Sequence, residues 1–105
     1  MDMEQAIGAF SALAQETRLR ICTLLAASGD SGLPAGDISM ALGVPQNTLS
    51  FHLSHLERAE LIQSRRQGRY IIYSANRRLI DELILWLADS CREKVPANPR
   101  SGTGG

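Results

Sequence analysis

Along the chain the spacing of apolar positions changes from helical to strand-like and back. Residues 3 to 14 set Met3, Ile7, Phe10 and Ala14 at helical spacing, which predicts a first amphipathic helix ending near Gln15. Within Glu16 to Ser28, Ile21, Leu24 and Leu25 form a second stripe, with Arg18 and Arg20 off it and Gly29 as the stop. The glycines and Pro34 between Ser28 and Gly36 read as a loop with one short extended piece at Leu33. A short third helix, Asp37 to Leu42, carries Ile38 and Leu42 inward, and Gly43-Val44-Pro45 turns out of it. Leu49, Leu53 and Leu56 then recur at i, i+4 and i+7, the stripe of a fourth helix that runs to about Ala59. Pro45 suits its start, because the amide that proline lacks has no helical partner there.

After Leu61 the period falls to that of strands. Ile62 to Arg66 and Arg69 to Ser74 predict a hairpin closed by a two-residue turn at Gln67-Gly68. From Asn76, a suitable N-cap, to about Cys91 the helical period returns. There Leu79, Ile80, Leu83, Ile84, Trp86 and Leu87 fall within one arc of about 160°. Docking on one side of a small domain uses a narrower arc. The surplus predicts a homodimer in which Met3, Ile7, Phe10, Leu79, Leu83, Trp86 and Leu87 meet a second copy. The expected fold is mainly α with a small β-hairpin, in the order α-α-α-α-β-β-α, over residues 1–94. Residues 95–105, rich in Pro, Asn and Gly, are expected to be a disordered tail.

A short helix, a tight turn and a longer helix with a clean leucine stripe make the helix-turn-helix pattern, and the ribbon after it makes a winged one. Such a second helix enters the major groove of DNA with its N-terminal residues foremost. Gln46, Asn47, Thr48 and Ser50 are therefore placed to meet base edges: Asn and Gln can pair with adenine, and Thr can touch a thymine methyl. The face opposite the leucines holds Asn47, Phe51, Ser54, His55 and Arg58. Phe51 suits contact with thymine methyls, or rest against a neighbouring loop. His52, at the edge of the stripe, fits either a hydrogen bond to the preceding helix or a DNA contact. Arg65, Arg66 and Arg69 bracket the hairpin turn, where guanidinium groups can hold phosphate or reach into a minor groove.

The formal net charge of zero over 105 residues hides a strong asymmetry. Residues 1 to 45 carry −3 and residues 46 to 78 carry +4, so the positive field is confined to the segment expected to meet phosphate. The N-terminus, with Asp2 and Glu4, does not read as a secretory signal, and the longest apolar run, Leu83 to Ala88, is far short of a membrane span. A cytoplasmic protein is expected, without a membrane partner. Two cysteines far apart in the chain point to free thiols rather than a disulfide framework. No general base stands at a recognisable spacing from either, so an enzyme is not expected.

From Phe10 to Cys91 the chain resembles the ArsR family of bacterial metal-responsive repressors. The residues that carry the likeness are Phe10-Ser11-Ala12-Leu13-Ala14 with Glu16-Thr17-Arg18-Leu19-Arg20-Ile21, then Asn47 to Leu53, then Ser64 to Tyr73. The resemblance implies a homodimer joined through its first and last helices, binding a palindromic operator in double-stranded DNA and released by an inducer. A cysteine pair used by many members in the third helix would fall at Pro34 and Gly36 and is absent. The last helix has no histidine for the zinc or nickel site of another group. The likeness is nearest to the subgroup that senses trivalent arsenic through cysteines at the end of the last helix, where this chain has Asp89-Ser90-Cys91-Arg92. Other members sense oxidants or persulfide with one cysteine on each of the second and last helices, the places of Cys22 and Cys91. The bland alternative for Cys22 is a small buried hydrophobe. A winged helix that binds protein instead of DNA is the alternative from a different class.

Overall fold

The computed structural model describes residues 1–92, so the expected tail lies outside them, as does the end of the expected 1–94 domain. Its elements run α1 (Met3–Leu13), α2 (Glu16–Ser28), a 3-10 turn (Gly29–Ser31), β1 (Leu33–Pro34), α3 (Ala35–Leu42), α4 (Gln46–Arg58), β2 (Ile62–Gln67), β3 (Tyr70–Ala75) and α5 (Arg77–Cys91). The strands form an antiparallel sheet in the order β1-β3-β2. The extended piece expected at Leu33 is therefore a strand, paired Leu33 to Tyr73 and Pro34 to Ile72.

Helix α1 starts at a reciprocal cap. The Asp2 carboxylate accepts the Gln5 amide at 2.8 Å, and the Gln5 side chain accepts the Asp2 amide at 3.1 Å. The helix packs on the domain through Ala6, Ala9 and Ala12, small enough to let it lie close. Of its larger apolar residues, Met3 and Ile7 point the other way, 62% and 60% exposed, whereas Phe10, expected at the contact with a second copy, is half-buried and packs on the core of its own domain. The core that these alanines cover is built from Ile21, Leu25, Ile38, Leu49, Leu53, Leu56, Leu61, Ile62 and Leu83.

Helix α5 corrects one expectation. Leu83, assigned above to the contact with a second copy, is 1% exposed within its own chain and has no surface left to offer. It lies at the centre of the apolar arc, where the helix docks on its own domain. Leu79 and Trp86 pack on the same core and are half-buried, while Ile84 and Leu87 remain exposed.

The hairpin turn sits one residue later than expected. Gln67 pairs with Tyr70, so the turn residues are Gly68 and Arg69. Gly68 has φ +63° and Arg69 is not among the positive-φ residues, the pattern of a type II′ turn with glycine first. Arg69 thus stands at the very tip.

At the end of α4 the Leu61 amide donates to the Leu56 carbonyl at 3.1 Å, closing the helix around Glu60, which has φ +62°. Asn76 secures this corner: its side-chain amide donates to the Glu60 carbonyl at 2.8 Å, and its oxygen accepts the Leu79 amide at 3.3 Å to cap α5. A left-handed backbone at a residue with a Cβ is strained. Glu60→Gly should therefore raise unfolding stability by roughly 1 kcal/mol in urea denaturation; a loss of stability would mean that the Glu60 side chain holds the corner.

Candidate nucleic-acid interface

The turn between α3 and α4 is locked from within. The Val44 amide donates to the Ser39 carbonyl at 3.1 Å, and the Ser39 hydroxyl donates to the Val44 carbonyl. Pro45 then caps α4 from just outside it, so that Gln46 is the first helical residue. Leu49, Leu53 and Leu56 bury one face of α4 in the core. Gln46, Asn47, Thr48, Ser50 and Phe51 are all exposed. The first turn holds no acidic residue, which suits an approach to phosphate. Asn47 accepts the Thr48 amide at 2.9 Å, and the Ser50 hydroxyl donates to the Gln46 carbonyl at 3.0 Å. Both contacts are local and leave each side chain further hydrogen-bonding capacity.

Phe51 is 61% exposed. It lies in T-shaped arrangement with the His52 and His55 rings, with centroids 5.4 and 6.3 Å away. A large ring held in place on an outer helix face is suited to apolar contact in a groove.

His52 is buried and takes the structural role, though with α2 rather than with the helix just before it. Its Nδ1 lies 3.3 Å from Arg18 Nη1, and Arg18 Nε donates to the Ala12 carbonyl at 2.6 Å. Arg18, which the helical pattern places off the apolar stripe, is itself buried and ties α1, α2 and α4 together. Since the guanidinium only donates, His52 Nδ1 accepts and the ring is neutral. Burial, Arg18 and then His55 lower the His52 pKa; burial, Arg18 and then Arg58 lower that of His55.

Protonating either ring in the folded state is thus harder than in the unfolded chain, where histidine titrates near about 6.5. Below that pH the unfolded state binds more protons, and unfolding stability should fall as pH decreases from 7 through the lower folded values. Urea melts at a series of pH values measure this. His52→Gln, whose carbonyl can accept from Arg18 without titrating, should flatten the profile, and an equally steep profile in that variant would remove His52 from the account.

The hairpin continues from α4 and is fastened to it: the Ser64 hydroxyl donates to the Glu57 carboxylate at 2.6 Å. Arg66 and Arg69 are exposed, and among the described residues neither stands in an ion pair. Arg65 differs, because its guanidinium donates to the backbone carbonyls of Asp30 and Ser31 at 3.1 and 2.9 Å. The two cysteines also part company. Cys22 is buried on α2 with its thiol pushed up to about 11 by burial, whereas Cys91 is exposed at the end of α5.

A buried leucine stripe under an exposed polar helix start, with an arginine-bearing hairpin fastened to the same helix, defines a winged helix-turn-helix DNA-binding regulator. A helix-turn-helix domain model matches residues 13–65. The transcriptional repressor SdpR of Bacillus subtilis is 36% identical over 78 residues, 74% of this chain and 83% of that protein. An ArsR-like transcriptional regulator from Rhodococcus superposes with a TM-score of 0.77 at 26% identity, over 85% of this chain and 81% of that one. The homodimeric winged helix-turn-helix domain of Mb0332 from Mycobacterium bovis, a possible ArsR-family regulator, gives 0.69 at 27% identity, over 91% and 89%. The chain belongs to the ArsR family of transcriptional regulators, which are not enzymes.

Proposed function

We propose that the protein is a cytoplasmic repressor that works as a two-fold dimer, setting two α4 helices about 34 Å apart in successive major grooves of a palindromic operator. Gln46, Asn47, Thr48, Ser50 and Phe51 read bases, and Arg66 and Arg69 hold phosphate. The observation that carries this reading is the exposed, acid-free start of α4 joined to the arginine wing through Ser64 and Glu57. The dimer is supported by the exposed Met3 and Ile7 of α1, by Ile84 and Leu87 of α5, and by the homodimeric relative Mb0332. A protein-interaction module would need neither the polar helix start nor the wing arginines.

Control by an inducer, with arsenic-type thiol chemistry as the finer version, falls on Cys91. That thiol is accessible, whereas Cys22 is a protonated packing residue at neutral pH. One Cys91 per subunit cannot by itself fill a three-thiolate site on trivalent arsenic.

The test is fluorescence anisotropy with a duplex selected from a randomised pool by the wild-type protein, titrated over a range of salt. Binding should weaken steeply with salt, and Arg66→Ala and Arg69→Ala should each lower the slope of log K against log salt by about 0.9. Binding indifferent to salt would refute phosphate contact.

A further inference from the structure

Ser64 and Arg65 are neighbours on β2, so their side chains leave opposite faces of the sheet. Each reaches a different part of the domain. Ser64 bonds the Glu57 carboxylate of α4 at 2.6 Å. Arg65 crosses the sheet in the other direction. It pairs with Ile72 on β3, which pairs with Pro34 on β1, so the row Arg65, Ile72, Pro34 spans all three strands. From the far end of that row Arg65 reaches the turn that precedes β1. Nη1 donates to the Asp30 carbonyl at 3.1 Å, Nη2 to the Ser31 carbonyl at 2.9 Å, and Nη2 also to the Gln67 side chain at 3.4 Å.

Both terminal nitrogens are therefore engaged by the domain's own surface, where Arg65 stays exposed. A guanidinium fork on two adjacent carbonyls fixes direction as well as distance, which a lysine ammonium does not. The wing of Arg66 and Arg69 is gripped at its base from both faces, by the recognition helix through Ser64 and by the 3-10 turn through Arg65.

We propose that Arg65 is a positioning residue for DNA binding. With Ser64 it sets the angle at which the wing tip is offered to the duplex, and it holds no phosphate itself. This rests on the DNA-binding reading above and revises the role expected for Arg65 from its place beside the hairpin turn.

The test compares Arg65→Ala, Arg65→Lys and Ser64→Ala with Arg66→Ala, using the selected duplex over a salt series and amide hydrogen exchange of the DNA-free proteins. Arg65→Ala should weaken binding roughly tenfold with an unchanged salt slope, the scale of losing a charge-assisted contact that holds a recognition element. Arg65→Lys should behave like Arg65→Ala, since it keeps the charge and loses the fork. Ser64→Ala should weaken binding too, again at constant slope. In the free protein, amides of residues 66 to 71 should exchange faster in both Arg65 variants. A slope reduced by about 0.9 in Arg65→Ala, rescue by lysine, or unaltered exchange would each overturn the proposal. If Arg66→Ala also kept the wild-type slope, the phosphate reading would fail instead, and the exchange data would still decide the clamp.

Discussion

Ile7→Glu should yield a folded monomer that binds the operator at least about a hundredfold more weakly than the wild type. Ile7 is 60% exposed, so the change leaves the protomer's core alone. Helix α1 grips its own domain through Ala6, Ala9 and Ala12 on the other side. A two-fold interface repeats every substitution, so in the proposed dimer two carboxylates would be buried among Met3, Ile84 and Leu87 of both copies. The DNA effect follows from geometry. A dimer engages two half-sites at once, with specific affinities of roughly 10⁻⁸ to 10⁻¹¹ M, while a lone domain approaches non-specific binding at roughly 10⁻⁴ to 10⁻⁶ M. Sedimentation measures the first outcome and anisotropy the second. An intact dimer would move the interface off the outer face of α1.

Gly32→Ala should be the most damaging small substitution for stability. Gly32 has φ +66°, and a Cβ there would overlap the Tyr73 carbonyl oxygen and lie 2.9 Å from Ile72 Cγ2. The obstacle is backbone, held by the pairing of Leu33 with Tyr73, so it cannot move without opening the sheet. The expected cost is roughly 3 kcal/mol or more, combining strain at positive φ with forced separation of two strands. Urea denaturation measures it. A cost below about 1 kcal/mol would show that β1 contributes little to the fold.

These two positions mark where the sequence speaks and where it is silent. Ile7 belongs to a stripe visible from spacing alone, because large apolar residues at helical intervals stand out. The residues that α1 buries fully are alanines, with Phe10 and Leu13 packed beside them, and the weak signal of alanine lets the outer residues pass for the whole pattern. On α5 a single arc of apolar residues is divided, and only the fold separates Leu83, which fills the domain's own core, from Ile84 and Leu87 outside it. The leucine stripe and polar start of α4 were legible because burial and exposure alternate there with the helix period. The wing turn was displaced by one residue, since a glycine in a two-residue turn can take either position and only the strand register decides.

Contacts between distant segments left no local trace. Arg18 and His52, 34 residues apart, meet inside the domain. Arg65 likewise finds the carbonyls of Asp30 and Ser31, 35 and 34 residues away. A guanidinium beside a turn looks the same in sequence whether it faces phosphate or its own backbone. In the function proposed here, base reading falls to the start of α4 and affinity to Arg66 and Arg69, while Arg18 and His52 tie α4 to α1 and α2.

Methylation interference on the selected duplex tests the central claim most directly, because methylation at guanine N7 blocks the major groove alone. Two patches of interference on one face of the duplex, centred about one helical turn apart and related by two-fold symmetry, are expected from two α4 helices in successive major grooves. A single patch, or interference only from methylation at adenine N3 in the minor groove, would contradict a dimer that reads DNA with α4.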